Sequence, residues 1–207
     1  AFGRERYKPC VKELSTLQGD NLLRDAPPDH LHHHALMYAI RVNGLNFWEE
    51  VSGSGVQKPV ASPPPELGTN AAGLPQAILR QTLHWLAPQD AFLPDTPALA
   101  LLVEQRTLVL TVDPTRDEVA LRWSAEFTVG GKTNTVVLEG STYFGLGARF
   151  QSELDAVARH FHADGHPDLS GTRQDVSAHD WSAVAFDRPV APATFALFGH
   201  PANPHGK

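Results

Sequence analysis

Cysteine is almost missing from this chain. A single thiol, Cys10, stands among 207 residues, so no internal disulfide can form and a cage built of thiolates is excluded. The compartment stays open on that ground, because a lone cysteine suits the cytosol and equally suits an exported protein that relies on its core. Basic clusters are missing too. The formal charge is −6 and the Lys and Arg residues are scattered, so no run can neutralise successive phosphates, and nucleic acid is set aside as a partner. Long apolar runs are also absent. The longest, Ala98 to Val103, holds about six residues, far below the ~20 needed to cross a bilayer, and residues 1–10 have no hydrophobic stretch that could act as a signal. The expectation is a soluble chain, cytoplasmic or exported, with no membrane partner. Serine and cysteine nucleophile motifs, phosphate-cradling glycine loops and dinucleotide fingerprints do not occur either.

What remains is the composition of a folded protein, with 42% apolar and 19% charged residues. The length fits one domain over residues 1–207. Seventeen prolines and sixteen glycines cut the chain into short elements, which favours β structure. LLVEQRTLVLTV (101–112) and EVALRWSAEFTV (118–129) alternate with period two around the turn residues Asp113, Pro114 and Asp117, and predict a hairpin. Gly130-Gly131 and Asn134 supply positive-φ turn chemistry before TVVLEGSTYFGL (135–146), predicted to return as a third strand of a meander. DWSAVAFD (180–187) and ATFALFGH (193–200) predict two more strands, and HALMYAIRV (34–42) another that ends at an Asn43-Gly44 turn. Residues 52–75 predict a long loop or a strand pair, and LDAVARHF (154–161) has the spacing of one short helix. The fold class expected is mostly β, an antiparallel β-sandwich with few short helices.

Against that background, PPDHLHHHALMYAIRVNGLNFWEE (27–50) places four imidazoles within the five positions 30–34. In an extended segment His30, His32 and His34 would share one face and His33 the other; in a helical turn His30 would meet His33 and His34. Either arrangement offers ligands for a divalent transition metal, or an acid and a base that exchange protons near neutral pH. Asp29 is suited to orient one ring. The plain alternative is a set of solvated or packed loop histidines. GHPANPHG (199–206) presents His200 and Asn203 on a rigid turn, where a structural turn capped by Asn203 is the competing reading. HFHADGHP (160–167) carries His160, His162 and His166 in an expected loop. In STYFGLGARF (141–150), Gly145 and Gly147 permit close backbone approach and Arg149 can clamp a carboxylate or hydroxyls, the alternative being a bulge with a surface arginine. Trp48, Tyr143 and Trp181 are candidate sugar platforms, although strand aromatics more often fill cores. Among Glu49, Glu50 and Glu153, spacing singles out no acid–base carboxylate.

Taken in order, the histidine segment, TYFGLGARF and GHPANPHG resemble a bacterial family of unknown function labelled methane oxygenase PmoA. Its members carry a D-H-P-H-H-R-G-L-like segment, then N-G-x-x-F-W, G-L-x-x-R and an H-P-x-N-P turn. In this chain the matching positions are Asp29, His30, His32, His33 and Leu36, then Asn43, Gly44, Phe47 and Trp48, then Gly145, Leu146 and Arg149, and last His200, Pro201, Asn203 and Pro204. Leu31 stands where the family usually has proline, and His34 and Ala35 replace its Arg-Gly. The family usually has further strands at both ends, so the resemblance implies a chain truncated at each end or completed by another subunit as a homo-oligomer. Methane chemistry of the membrane type would need long apolar helices, which this chain lacks. By fold-level analogy the pattern looks like the galactose-mutarotase supersandwich. The leading expectation is a carbohydrate-active protein of epimerase, lyase or hydrolase type that takes a sugar-like small molecule. His30, His33 and His200 would be the catalytic candidates, lining one cavity from both ends of the chain, and Asp29, His32, Trp48, Arg149 and Asn203 would bind substrate. Two alternatives stand beside it: a metal-dependent oxygenase or hydrolase with His30, His32 or His33, and His200, as ligands to Fe, Cu or Zn, and a non-catalytic binding or assembly module.

Overall fold

The computed structural model describes residues 2–4, 6–94, 96–140, 144–165, 179–188 and 192–203. Contacts divide the chain into two compact units, Ala1–Arg149 and Phe150–Lys207. In the first, alternation and turn chemistry give β1 (Phe2–Arg4), β2 (Pro9–Val11), β3 (Leu36–Ala39), β4 (Arg41–Val42), β5 (Leu45–Asn46), β6 (Val56–Ala61), β7 (Glu66–Thr69), β8 (Pro75–Leu86), β9 (Ala100–Asp113), β10 (Glu118–Val129), β11 (Leu138–Glu139) and β12 (Gly145–Ala148). A single 3₁₀ turn, Pro97–Leu99, precedes β9, with the Thr96 side chain accepting from the Ala98 amide. In the second unit, a 3₁₀ segment Ser152–Val157 leads into β13 (Ala158–His162), followed by β14 (Trp181–Phe186) and β15 (Ala193–Phe198).

Among the described residues all strand pairs are antiparallel. In the first unit the sheets run β1-β2-β3-β12, β10-β9-β8-β6 with β7 also on β8, and β11-β4-β5; in the second, β13-β14-β15. The predicted hairpin is β9–β10, in unbroken register from Glu118 opposite Asp113 to Val129 opposite Leu102. Asn43 and Gly44 both take positive φ, 50° and 75°, and close the two-residue β4–β5 turn as their sequence requires.

Three expectations change, and one choice left open is decided. Among the described residues of 135–146 none returns to β10: Leu138–Glu139 pairs with β4 and the strand beginning at Gly145, which takes φ 126°, pairs with β3. Gly130 and Gly131 are not positive-φ turn residues; a Cβ on Gly130 would lie 2.1 Å from the Ala100 carbonyl oxygen, and one on Gly131 2.6 Å from Ala98 Cα, so packing demands glycine there. Within 154–161 only residues up to Val157 are helical, in a 3₁₀ segment, and Ala158–His162 pairs with β14 as β13, which puts His160 and His162 on a strand. Residues 52–75 contain β6 and β7.

The first unit's core joins Cys10, Met37, Ala39, Val42, Phe47 and Trp48 to Leu83, Trp85 and Leu102 from β8 and β9. Period-two alternation along β9 also turns Glu104 and Arg106 inward, each at most 1% exposed. They satisfy each other in a two-pronged pair, Arg106 Nε to Glu104 Oε1 at 2.6 Å and Nη2 to Oε2 at 2.9 Å, while Trp85 Nε1 donates to Oε2 at 2.8 Å and Arg106 reaches Gln57 Oε1 at 3.2 Å. The guanidinium lies 4.6 Å over the Trp123 ring. Such a fully bonded pair tolerates burial where an isolated charge would not.

Candidate functional site

Two turns in succession build the site. His30 N donates to the Pro27 carbonyl at 2.9 Å and His33 N to the His30 carbonyl at 3.0 Å. This local winding, not an extended strand, brings His30 to His33: the rings stack with centroids 4.7 Å apart, and His32 meets His33 edge-on at 4.4 Å and His30 at 5.9 Å. Ala35 then takes a left-handed φ of 42° at the entry to β3. That conformation favours glycine, and alanine holds it here with the smallest of side chains.

His34 leaves the stack. It pairs with Asp25 across an isolated bridge and joins a chain of alternating charge that is buried at His34 and Lys8 and partly exposed at its other members. Lys12 lies 3.0 Å from Asp25, Asp25 2.7 Å from His34 Nδ1, His34 Nε2 2.9 Å from Glu50, and Glu50 2.8 Å from Lys8 Nζ. Lys8, 0% exposed, also donates to the Trp48 carbonyl at 2.6 Å. Burial opposes charge on His34, but hydrogen bonds to Glu50 and Asp25 outweigh it and raise its pKa. Burial likewise opposes the Glu50 and Asp25 carboxylates, and His34 with the two lysines holds both below the ordinary range. On Lys8 burial wins, and its pKa falls.

The stack borders a cavity of about 360 Å³ lined by His33, Met37, Trp48, Phe144, Leu146 and Arg149, among others. The β3–β12 pairing sets Met37 opposite Gly147, so the floor is a strand pair and the aromatic wall rises from Trp48 and Phe144, whose rings lie 5.8 Å apart. Gly147 leaves room for the indole, since a Cβ there would sit 2.8 Å from Trp48 Cη2. His33 is 7% exposed. Burial, with positive charge on His32, His30 and Arg149 adding to it, lowers its pKa to about 4, so it is neutral at pH 7. His32 is lowered in the same direction, by burial first and then by Lys8. At the rim, Asp29 accepts from His30 Nδ1 at 2.9 Å and from Arg149 Nη2 at 3.1 Å. That contact orients the His30 ring, with Nδ1 turned to the carboxylate and Nε2 away from it.

The structure thus gathers Asp29, His30, His32, His33, Trp48 and Arg149 in the first unit. Trp48 is 6% exposed and serves core and cavity together. His200 and Asn203 belong to the second unit, on an exposed turn where Asn203 N donates to the His200 carbonyl and Ala202 N to His200 Nδ1. Tyr143, His166 and Pro204 lie outside the described residues. Sequence reasoning missed Lys8, Met37 and Phe144, whose places depend on pairing between distant strands; Glu50 was named without a role.

Among the described residues, the grouping whose ligand atoms all lie within 4.8 Å of one another is Cys10, Asp25 and His34, not the three stacked histidines. The 2.7 Å separation of His34 Nδ1 and Asp25 is that of a charge-assisted hydrogen bond. An ion would have to displace that proton beside two ammonium groups, so the geometry is that of an ion-pair chain.

The chain belongs to a family of unknown function, DUF6807, whose model matches residues 2–207. No curated protein and no solved structure matches it. The expected kinship with a family of unknown function holds at that level; the methane-oxygenase label and the mutarotase-like sandwich are finer readings that this match does not carry. Among the described residues no helix is long and apolar enough to cross a membrane.

Proposed function

We propose that the cavity of the first unit binds a sugar or sugar-derived ligand and that the histidine stack beside it performs acid–base chemistry of epimerase or lyase type. One observation carries the reading: an aromatic wall, a neutral imidazole and a guanidinium converge on a single open cavity. Sugars present apolar ring faces that pack on indole and phenyl surfaces, and hydroxyls that need donors and acceptors of fixed direction. Trp48 and Phe144 supply the first, His33 and Arg149 the second. Neutral His33 accepts from a ligand hydroxyl. His30, oriented by Asp29 and stacked on His33, exchanges a proton through Nε2, a role worth roughly 10² to 10⁴ in rate for a well-placed group. His200 and Asn203 form no part of this proposal.

The test is a panel of neutral aldohexoses, their uronic acids and short oligosaccharides, read by thermal shift and calorimetry. A true ligand at roughly a hundredfold excess over Kd raises Tm by about 5 °C. His33→Gln and Arg149→Gln abolish the shift while circular dichroism is unchanged. Failure of every saccharide to bind, or binding undiminished in both variants, removes the reading.

A further inference from the structure

β10 ends its sheet. Among the described residues it pairs with β9 alone, and its outer row of backbone donors and acceptors runs the full length Glu118–Val129. Exposed edges are usually blunted by proline, lysine, a bulge or brevity. This one has twelve residues, no proline, no lysine and no break in register. Its inward row, Val119, Leu121, Trp123, Ala125 and Phe127, is only half-buried, whereas the inward residues of β9 next to it, Leu102, Glu104, Arg106 and Leu108, are buried. Its outward row carries Arg122 and Glu126, both exposed, and neither forms an ion pair among the described residues.

We propose that β10 docks on β10 of a second copy of this chain, in antiparallel register about a twofold axis through Ser124, so that one sheet runs continuously across both. The register follows from the side chains. Opposed about Ser124, Arg122 of each copy faces Glu126 of the other, so two ion pairs form by symmetry. On the inward face the same register sets Trp123 opposite Ala125, Leu121 opposite Phe127 and Val119 opposite Val129, a large residue against a smaller one at the crowded centre. Moving the axis to Arg122 would set Arg122 against itself once and Glu118 against Glu126 twice, three like-charge contacts that oppose it. An axis through Trp123 or Ala125 leaves the charges against Ala, Ser or Thr. An axis through Ala120 would also oppose Arg122 to Glu118, but it pairs only residues 118–122, whereas the Ser124 axis pairs 119–129 and so adds far more of the ladder; the half-buried row is then flanked by the same row of its symmetry mate. This surface is independent of the cavity and stands or falls apart from the sugar proposal.

Sedimentation velocity at roughly 10 to 100 µM, where contacts of this size are normally detected, reads the assembly. The chain is expected to dimerise. Arg122→Glu sets Glu against Glu twice and Glu126→Arg sets Arg against Arg twice, so each weakens the dimer by about tenfold or more. The double swap R122E/E126R restores it, and an equimolar mixture of the two single variants forms the heterodimer. Ser124→Cys gives an intermolecular disulfide under oxidised glutathione, because residues paired directly across antiparallel strands fall within disulfide reach; Cys10 is buried and does not compete. A monomer throughout that range, single swaps that dimerise like the parent chain, or a double swap that fails to restore assembly each overturn the proposal. All three positions are solvent-exposed, and circular dichroism verifies that the variants fold.

Discussion

His33 and His34 are neighbours in sequence with opposite proton affinities, and the cause lies in what each ring touches. His33 faces other imidazoles, a guanidinium and an indole, and its pKa drops to about 4. His34 sits between two carboxylates and is raised. Stability must follow pH accordingly. The unfolded chain protonates His33 near the ordinary value of 6.5 and the folded chain near 4, so acidification through that window favours unfolding. His32 adds to the same trend. Asp25 and Glu50 are lowered, and their contribution is lost at still lower pH, as each carboxylate protonates in the fold. The His34 contribution is complete below its unfolded value and fades as pH rises through its raised folded value. Tm is therefore expected to fall steadily from pH 6.5 to 4, and His33→Gln flattens that limb. A variant whose profile runs parallel to the parent's between these values contradicts the assignment. None of this division was legible in HLHHH as a string. Residue types announce imidazoles, but which is charged depends on Asp25, Glu50, Lys8 and Arg149, brought there by strand pairing.

At the scale of elements, the cavity exists because β12 has no side chain where Trp48 needs room. Gly147→Ala places a methyl 2.8 Å from Trp48 Cη2, and the indole is pinned by Phe144, His33 and the surrounding core. The expected cost is about 1–3 kcal/mol, as for other overpacked sites, measured by urea denaturation; unchanged stability would show that the wall yields. The same strands mark the limits of reading sequence. Period-two alternation and turn residues were enough for β9, β10, β14 and β15, because each is long or flanked by clear breakers. β11 and β12 are two and four residues long, too short for any period, and they are held by partners about a hundred residues away in sequence. Gly147 was legible as a place of close approach, although what approaches is the Trp48 ring; at Gly145, with φ 126°, an added Cβ would meet nothing within 4 Å, and its glycine answers to the backbone angle instead. Gly130 and Gly131 were legible as glycines but not in their reason, since the crowding by Ala98 and Ala100 is tertiary. The edge role of β10 was equally invisible, because alternation reports which face a residue takes and not whether a neighbour strand follows.

At the scale of the whole molecule, one family model spans both compact units, while the chemistry gathered by geometry lies in the first. The mostly β antiparallel character was legible from composition and alternation. Convergence of Asp29 and His30 with Arg149 across more than a hundred residues was suggested only by the ordered set of short segments, and the cavity is one that no segment describes alone. Met37, the single methionine in the chain, lines that cavity. With a ¹³C-labelled methionine methyl the protein gives one resonance reporting directly on the site. Titrated with the panel of aldohexoses and uronic acids, that resonance is expected to shift and saturate with at least one sugar, and to stay fixed with the same sugar in His33→Gln. A resonance unmoved by every sugar, including any that binds by calorimetry, would contradict the assignment of this cavity as the carbohydrate site.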